Sequence, residues 1–219
     1  MKTIEKKKRN TPATYDSEKT RAKLIAAVGK VLIKEGFQNV RINKVADVAG
    51  VAKKSIYVYF GGLDGLINAY ISKVDFWQTE KQKLEPNSYK ELPDITKDFM
   101  FNLLQDNFQY LFKSPEMQKI VLWGISEKNK AIRALTDKRE NLGEKIFQKT
   151  DRAFKETQVD YRATISILLS AIYYIVLHAK GNGSTMCGID MGSKEGKERM
   201  LMAMERLLSL TYKYADVPL

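Results

Sequence analysis

Apolar residues in this chain recur three and four positions apart, segment after segment, and that period belongs to helices rather than strands. From Ser17 to Glu35 the stripe is Leu24, Ile25, Val28, Val31 and Leu32, with Ser17 as the expected cap and Gly36 as the stop. A short helix over about 43–49 ends at Gly50, and another over about 53–59 ends at Gly61-Gly62. A longer helix is expected over about 63–84, on Leu66, Ile67, Tyr70 and Ile71. Pro86 and Pro93 bracket a loop. Helical spacing resumes at Ile95, Phe99 and Leu103, then after Pro115, over about 128–156, over about 161–180, and over about 194–214 behind a Gly-rich loop. No strand pair and no internal repeat is legible. The expected class is all-α, with about nine helices and short connections.

Charge is placed unevenly along these helices. The whole chain has 37 Lys and Arg against 26 Asp and Glu, a formal net charge of +11. Residues 1–62 hold 14 of those bases and 5 of those acids, and residues 63–219 hold 23 and 21. A basic first quarter beside a nearly neutral remainder suits a module facing a polyanion. The same excess also serves solubility.

Several function classes lose their materials. One Cys leaves no internal disulfide, and one His with one Cys leaves no His/Cys metal site, so no metal is expected. His178 sits in an apolar stretch, no carboxylate pair stands beside it, and no Gly-rich phosphate loop follows a strand. No catalytic residue, cofactor or enzymatic activity is expected. Met1-Lys2-Thr3-Ile4 leads into Lys6, Lys7, Lys8 and Arg9 rather than an apolar stretch, so no signal peptide is expected. The longest apolar run, Ile165 to Leu177, falls short of the roughly 20 residues of a membrane span. A soluble, cytoplasmic protein without a membrane partner is expected.

The informative stretch is Ile42 to Phe60, INKVADVAGVAKKSIYVYF. Val45, Ala46 and Ala49 pack a first short helix inward, and Ala46 is small where a second helix must cross closely. Gly50 supplies the positive φ of the turn at no steric cost. Val51 fills the corner, while Ile56 and Phe60 bury the inner face of the second helix. This is the arrangement of a helix-turn-helix, whose second helix is held outward to enter a major groove. Lys53 and Lys54 at its N-terminus, Ser55, Tyr57 and Tyr59 offer charge and hydroxyls to phosphates and base edges. Lys44 on the first short helix and Arg9 in the basic arm add charge for duplex DNA.

Residues about 19–71 resemble the DNA-binding domain of TetR-family transcriptional regulators. The resemblance rests on Glu35-Gly36-Phe37, on Val45-Ala46-x-x-Ala49-Gly50-Val51, on Lys53-x-Ser55-Ile56-Tyr57-x-Tyr59-Phe60, and on Leu66. The family commonly caps the first short helix with Ser or Thr, where this chain offers Asn43. It commonly has Ser before the Lys of the recognition helix, where this chain has Ala52. It commonly opens the fourth helix with Ser-Lys, where this chain has Gly62-Leu63. Lys54 and the basic arm are the expected replacements for the missing phosphate contacts.

The domains implied are a flexible basic arm over 1–16, a helix-turn-helix domain over 17–62, and a helical effector-binding and dimerisation domain over 63–219. A helix-turn-helix reads one half-site, so two copies about 34 Å apart are needed, and a homodimer follows. Its interface is expected on the last two helices, at Ser166, Ser170, Met204 and Leu208. The resemblance implies a pocket for a small-molecule effector, for which Phe99, Leu103, Phe108, Trp123, Tyr173 and Tyr174 are the residues of suitable size; the same residues also make ordinary core. The function implied is a repressor that leaves a palindromic operator when its effector binds, with the helix over 63–84 transmitting the change. A helical adaptor that docks proteins or anionic membrane surfaces through its basic N-terminus is the alternative.

Overall fold

In the computed structural model the described residues are 12–84, 95–181, 183 and 185–217. They form ten α-helices, one 3₁₀ turn and one minimal hairpin, so the class is all-α. The chain divides into two compact units, the first ending at Ile71 and the second beginning at Ser72.

In the first unit, α1 (Pro12–Glu35) leads through a 3₁₀ turn (Phe37–Asn39) to α2 (Ile42–Ala49), α3 (Lys54–Phe60) and α4 (Leu63–Val74). Pro12 is the first described residue of α1. Ser17, expected as the cap, therefore lies inside α1, and residues 12–16 are helix rather than arm. Leu24, Val28, Val31 and Leu32 of α1 are buried with Val45 and Ala46 of α2, Ile56 of α3, and Leu66, Ile67 and Ile71 of α4. Each large side chain so buried contributes about 1.5–3 kcal/mol, which is what holds helices of seven and eight residues that are too short to persist alone.

The second unit holds the end of α4, then α5 (Phe76–Leu84), α6 (Lys97–Lys113), α7 (Pro115–Ser126), α8 (Lys130–Phe154), α9 (Tyr161–Gly181) and α10 (Lys194–Tyr214). Side-chain oxygens cap six helices here: Asp75 for α5, Thr96 for α6, Ser114 for α7, Asn129 for α8, Asp160 for α9 and Ser193 for α10. Helix α6 packs against α7, α9 and α10, and α8 against α5, α7 and α9.

Two expectations are overturned here. The helix expected over 63–84 is broken at Asp75, between α4 and α5. The Gly-rich loop contains a hairpin, β1 (Thr185–Met186) paired antiparallel with β2 (Ile189–Asp190). Its two central residues, Cys187 and Gly188, have φ of 52° and 74°, the positive pair that matches a two-residue turn to strand twist.

Helix α9 is 21 residues long with a mean hydropathy of 1.5, and by length and composition it reaches a membrane span. The apolar run Ile165 to Leu177 underestimated it, because the helix continues through residues 161–164 before the run and 178–181 after it. It packs on α6, α7 and α8, which is the setting of a core helix, but a large share of its surface stays exposed.

Candidate nucleic-acid interface and internal cavity

The turn between α2 and α3 closes on backbone hydrogen bonds. Gly50 takes φ 65° and ψ 39°, and its N–H donates to the carbonyls of Ala46 and Asp47. The N–H of Val51 donates to the Ala46 carbonyl at 3.1 Å. These bonds satisfy the end of α2 and reverse the chain, and a Cβ at Gly50 would be strained by its φ alone. The far end of α3 is set by contact. A Cβ on Gly65 would lie 1.9 Å from the carbonyl oxygen of Phe60, so α4 begins where only a glycine fits.

Held between these closures, α3 buries Ile56 completely and presents the opposite face. Lys53 and Lys54 are exposed at its start. Tyr57 and Val58 follow with 55% and 65% of their surfaces exposed, one helical turn along the same side. Ser55 is half-buried beside them. Tyr59 turns away: it is half-buried, and the Arg21 guanidinium stands 5.8 Å from its ring and 4.8 Å from that of Phe60. Lys44 is ion-paired to Glu35 at 2.8 Å, tying α2 to the end of α1. Asn43 does not cap α2. The cap position is Arg41, which offers no side-chain acceptor, so the first-turn N–H groups of α2 carry no cap. Arg9 lies outside the described residues.

Val58 was missed from sequence. Its signal was positional, since it stands four residues after Lys54, where an apolar side chain has no core to meet. Exposed methyls on such a face suit the C5-methyl of thymine.

The second unit holds a partly open cavity of about 410 Å³, with the exposed Ile125, Thr136, Glu140 and Ser166 on its lining. Its walls are mainly aliphatic, from α6, α7, α8 and α9, with Trp77, Thr136, Arg139, Glu140, Ser166 and Tyr173 supplying polar atoms. Of the expected pocket residues, Leu103 and Tyr173 line it. Phe99, Phe108, Trp123 and Tyr174 do not. Phe108 is packed against Phe112 at 5.4 Å, and the buried Trp123 donates its Nε1–H to Glu127 at 2.6 Å. Tyr174 is 64% exposed and stacks near His178. Size and aromaticity could not say which side of a helix each residue would occupy.

Beside the cavity, Asp75 is fully buried. Its Oδ1 accepts from Nε of Arg139 at 3.1 Å and also from Nη2 of Arg139. Its Oδ2 accepts the backbone N–H of Gln78 at 3.1 Å, which caps α5. The hydroxyl of Tyr110 donates to the last carbonyl of α4, at Val74, over 2.6 Å. Both faces of the α4–α5 break are thus satisfied from α6 and α8. Burial pushes the Tyr110 phenol above its ordinary value, so it stays an O–H donor.

Residues 24–70 match the family described as bacterial regulatory proteins, tetR family. The matched segment lies within the first unit and includes the turn between α2 and α3. No curated protein matches the chain. Among solved structures, a TetR family transcription regulator from Marinobacter aquaeolei VT8 superposes with a TM-score of 0.59 at 17% identity, over 88% of this chain and 97% of its own. NalD, the secondary repressor of the MexAB-OprM multidrug efflux pump in Pseudomonas aeruginosa, gives 0.61 at 16% identity, over 87% and 97%. The fatty acid degradation regulator FadR from Bacillus halodurans gives 0.59 at 16% identity, over 85% and 96%. At such identities the likeness is one of fold.

The expected dimer residues divide. Ser166 and Ser170 of α9 are exposed. Met204 and Leu208 of α10 are 5% and 0% exposed, so both are interior and cannot meet a partner. The apolar side chains left outside are Ile167 and Tyr174 on α9, and Met202, Leu207, Leu210 and Tyr214 on α10, each more than half exposed. The stripe legible on α10 from the sequence, Leu201, Met204, Leu207, Leu208 and Thr211, splits: Met204 and Leu208 are buried, Leu201 and Thr211 are half-buried, and Leu207 is 52% exposed. A second apolar set, offset around the same helix, faces out.

Proposed function

We propose that this chain is a transcriptional repressor that grips a palindromic operator as a homodimer and lets go when a small molecule enters the cavity of its second unit. The observation that carries the reading is the α3 face. Lys53, Lys54, Tyr57 and Val58 project from a seven-residue rod whose other side is buried at Ile56. Charge at the start of such a rod answers phosphates, and the phenol and methyls behind it reach base edges.

Dimerisation is supported by the exposed apolar sets on α9 and α10. Six large side chains in water on two helices are more surface of this kind than a monomer ordinarily leaves. Two recognition helices then address two half-sites about 34 Å apart. Effector release is supported by the ties at the end of α4. Asp75 and Val74 are bonded to Arg139 and Tyr110, and Arg139 lines the cavity. A ligand that prefers another arrangement of that wall weakens DNA binding by its differential affinity for the two forms.

A mobility-shift assay on duplexes selected from a random pool tests the reading. Wild-type protein should enrich an inverted repeat and lose affinity steeply with salt, whereas Lys53→Glu with Lys54→Glu should bind no duplex. Wild-type binding by that double variant would remove α3 from the interface.

A further inference from the structure

The polar groups of the cavity sort by what their hydrogens already do. Trp77 spends its Nε1–H on the hydroxyl oxygen of Tyr173 at 3.0 Å. Thr136 and Ser166 spend their hydroxyl hydrogens on the carbonyls of Ile132 and Arg162, at 3.2 and 2.8 Å. Two donors are left over. The Tyr173 hydroxyl accepts from Trp77, and its own hydrogen meets no acceptor among the described residues. Burial raises that phenol above its ordinary value, so the hydrogen is present at neutral pH. Arg139 gives Nε and Nη2 to Asp75, and its Nη1 has no acceptor among the described residues.

Charge narrows the ligand further. The Arg139 cation is answered by Asp75, which is wholly buried. Glu140, the next residue, also lines the cavity and is exposed. An incoming carboxylate would give up its hydration to reach a cation already neutralised, with another carboxylate alongside. An incoming ammonium would find only Glu140, and an exposed carboxylate in water returns little. A neutral acceptor loses least on entry and can still take both free donors.

We infer that the cavity admits an uncharged, largely apolar molecule with one carbonyl-type acceptor, such as a ketone, ester or amide, received by the Tyr173 hydroxyl and Arg139 Nη1. This rests on the reading of the cavity as the effector site and adds the chemical class. At roughly 30 Å³ per non-hydrogen atom, the 410 Å³ cavity takes a body of about ten such atoms with room to spare.

Three probes of about ten non-hydrogen atoms each separate the classes: nonan-2-one, octanoate and nonylamine, titrated calorimetrically into the full chain at neutral pH. Nonan-2-one should bind at least about tenfold more tightly than either ion. Asp75→Asn keeps an oxygen for the Gln78 N–H but uncovers the Arg139 charge, so octanoate should gain at least about tenfold relative to the ketone. Tyr173→Phe keeps the ring and should weaken the ketone about fivefold, which carries the test if Asp75→Asn does not fold. Octanoate or nonylamine matching the ketone on wild type, no binding by any probe, or variants that leave the ratios unmoved would each overturn the assignment. Binding is read without DNA, so failure here leaves the repressor reading standing, and a missing operator leaves this one standing.

Discussion

Asp75 and Arg139, 64 residues apart in sequence, meet at the gap between α4 and α5, with the carboxylate wholly buried and the guanidinium on the cavity wall. A carboxylate there would be costly alone. It is tolerated because Arg139 and the Gln78 N–H answer its two oxygens. The pair, with the Tyr110 hydroxyl on the Val74 carbonyl, ties the α4–α5 break to α8 and α6.

Removing one partner should expose that dependence. Arg139→Ala leaves the Asp75 charge buried and unanswered and should cost about 3–5 kcal/mol. Asp75→Asn combined with Arg139→Met removes both charges and should recover most of the stability. Urea unfolding of the single and double variants measures both.

At the recognition helix the expectation is the reverse, weaker binding at unchanged stability. Lys53→Gln with Lys54→Gln removes two exposed charges, so the melting temperature should hold within the error of scanning calorimetry. The slope of log binding constant against log salt should fall by about 0.9 for each phosphate that the variant no longer neutralises.

Two glycines on either side of α3 should respond differently to alanine. Gly50→Ala forces a left-handed φ of 65° with free space around the new methyl, and should cost about 1–2 kcal/mol. Gly65→Ala places a methyl 1.9 Å from the backbone oxygen of Phe60, which cannot move without shifting α3. It should destabilise more and weaken DNA binding too. Thermal melts by circular dichroism, paired with mobility shifts, separate the two effects.

The outer faces of α9 and α10 should control assembly. Ile167→Glu with Leu207→Glu places charge on residues already 69% and 52% exposed, so the fold should survive. Sedimentation velocity at micromolar concentration should show wild type as a dimer and the variant as a monomer. A monomeric wild type would sink the dimer proposal.

Alkaline pH should destabilise the second unit through its buried phenols, Tyr110 and Tyr173 and above all one close pair. Tyr161 and Tyr212 share a buried hydroxyl contact at 3.2 Å, and Tyr161 stacks on Phe154 at 4.3 Å. Burial raises both phenols above their ordinary value of 10.0, with the Tyr212 hydroxyl adding to the effect on Tyr161. A raised folded pKa means the stabilisation is fully present below about pH 10, the unfolded value, and is lost as pH rises beyond it. Tyrosinate absorbance near 295 nm should appear together with loss of helix, and Tyr161→Phe should flatten that alkaline fall.

Some of this molecule is written locally. Gly50, Ala46 and Val51 specify their turn within six residues of chain, because a positive φ and a close crossing are properties of those side chains wherever they stand. The same holds for the inward stripe of α1 and for Ser114-Pro115 at the start of α7, where cap and first turn are neighbours. Periodicity was enough to make the class all-helical and to mark Lys53 to Phe60 as a rod with one wet side.

Other features belong to the packed chain alone. Asp75 is a possible cap for a new helix, but it stands in an otherwise continuous helical pattern; the break is settled by Arg139 and Tyr110, which arrive from α8 and α6 and bond Asp75 and the Val74 carbonyl. Both Met204 and Leu207 are apolar, and only the position of α6 makes one interior and the other surface. The cavity is likewise what four helices fail to fill between them. Local order follows from torsional preference and residue spacing over one or two turns, whereas burial, cavities and buried charge follow from which distant surfaces meet, and one segment of sequence carries no record of its neighbours.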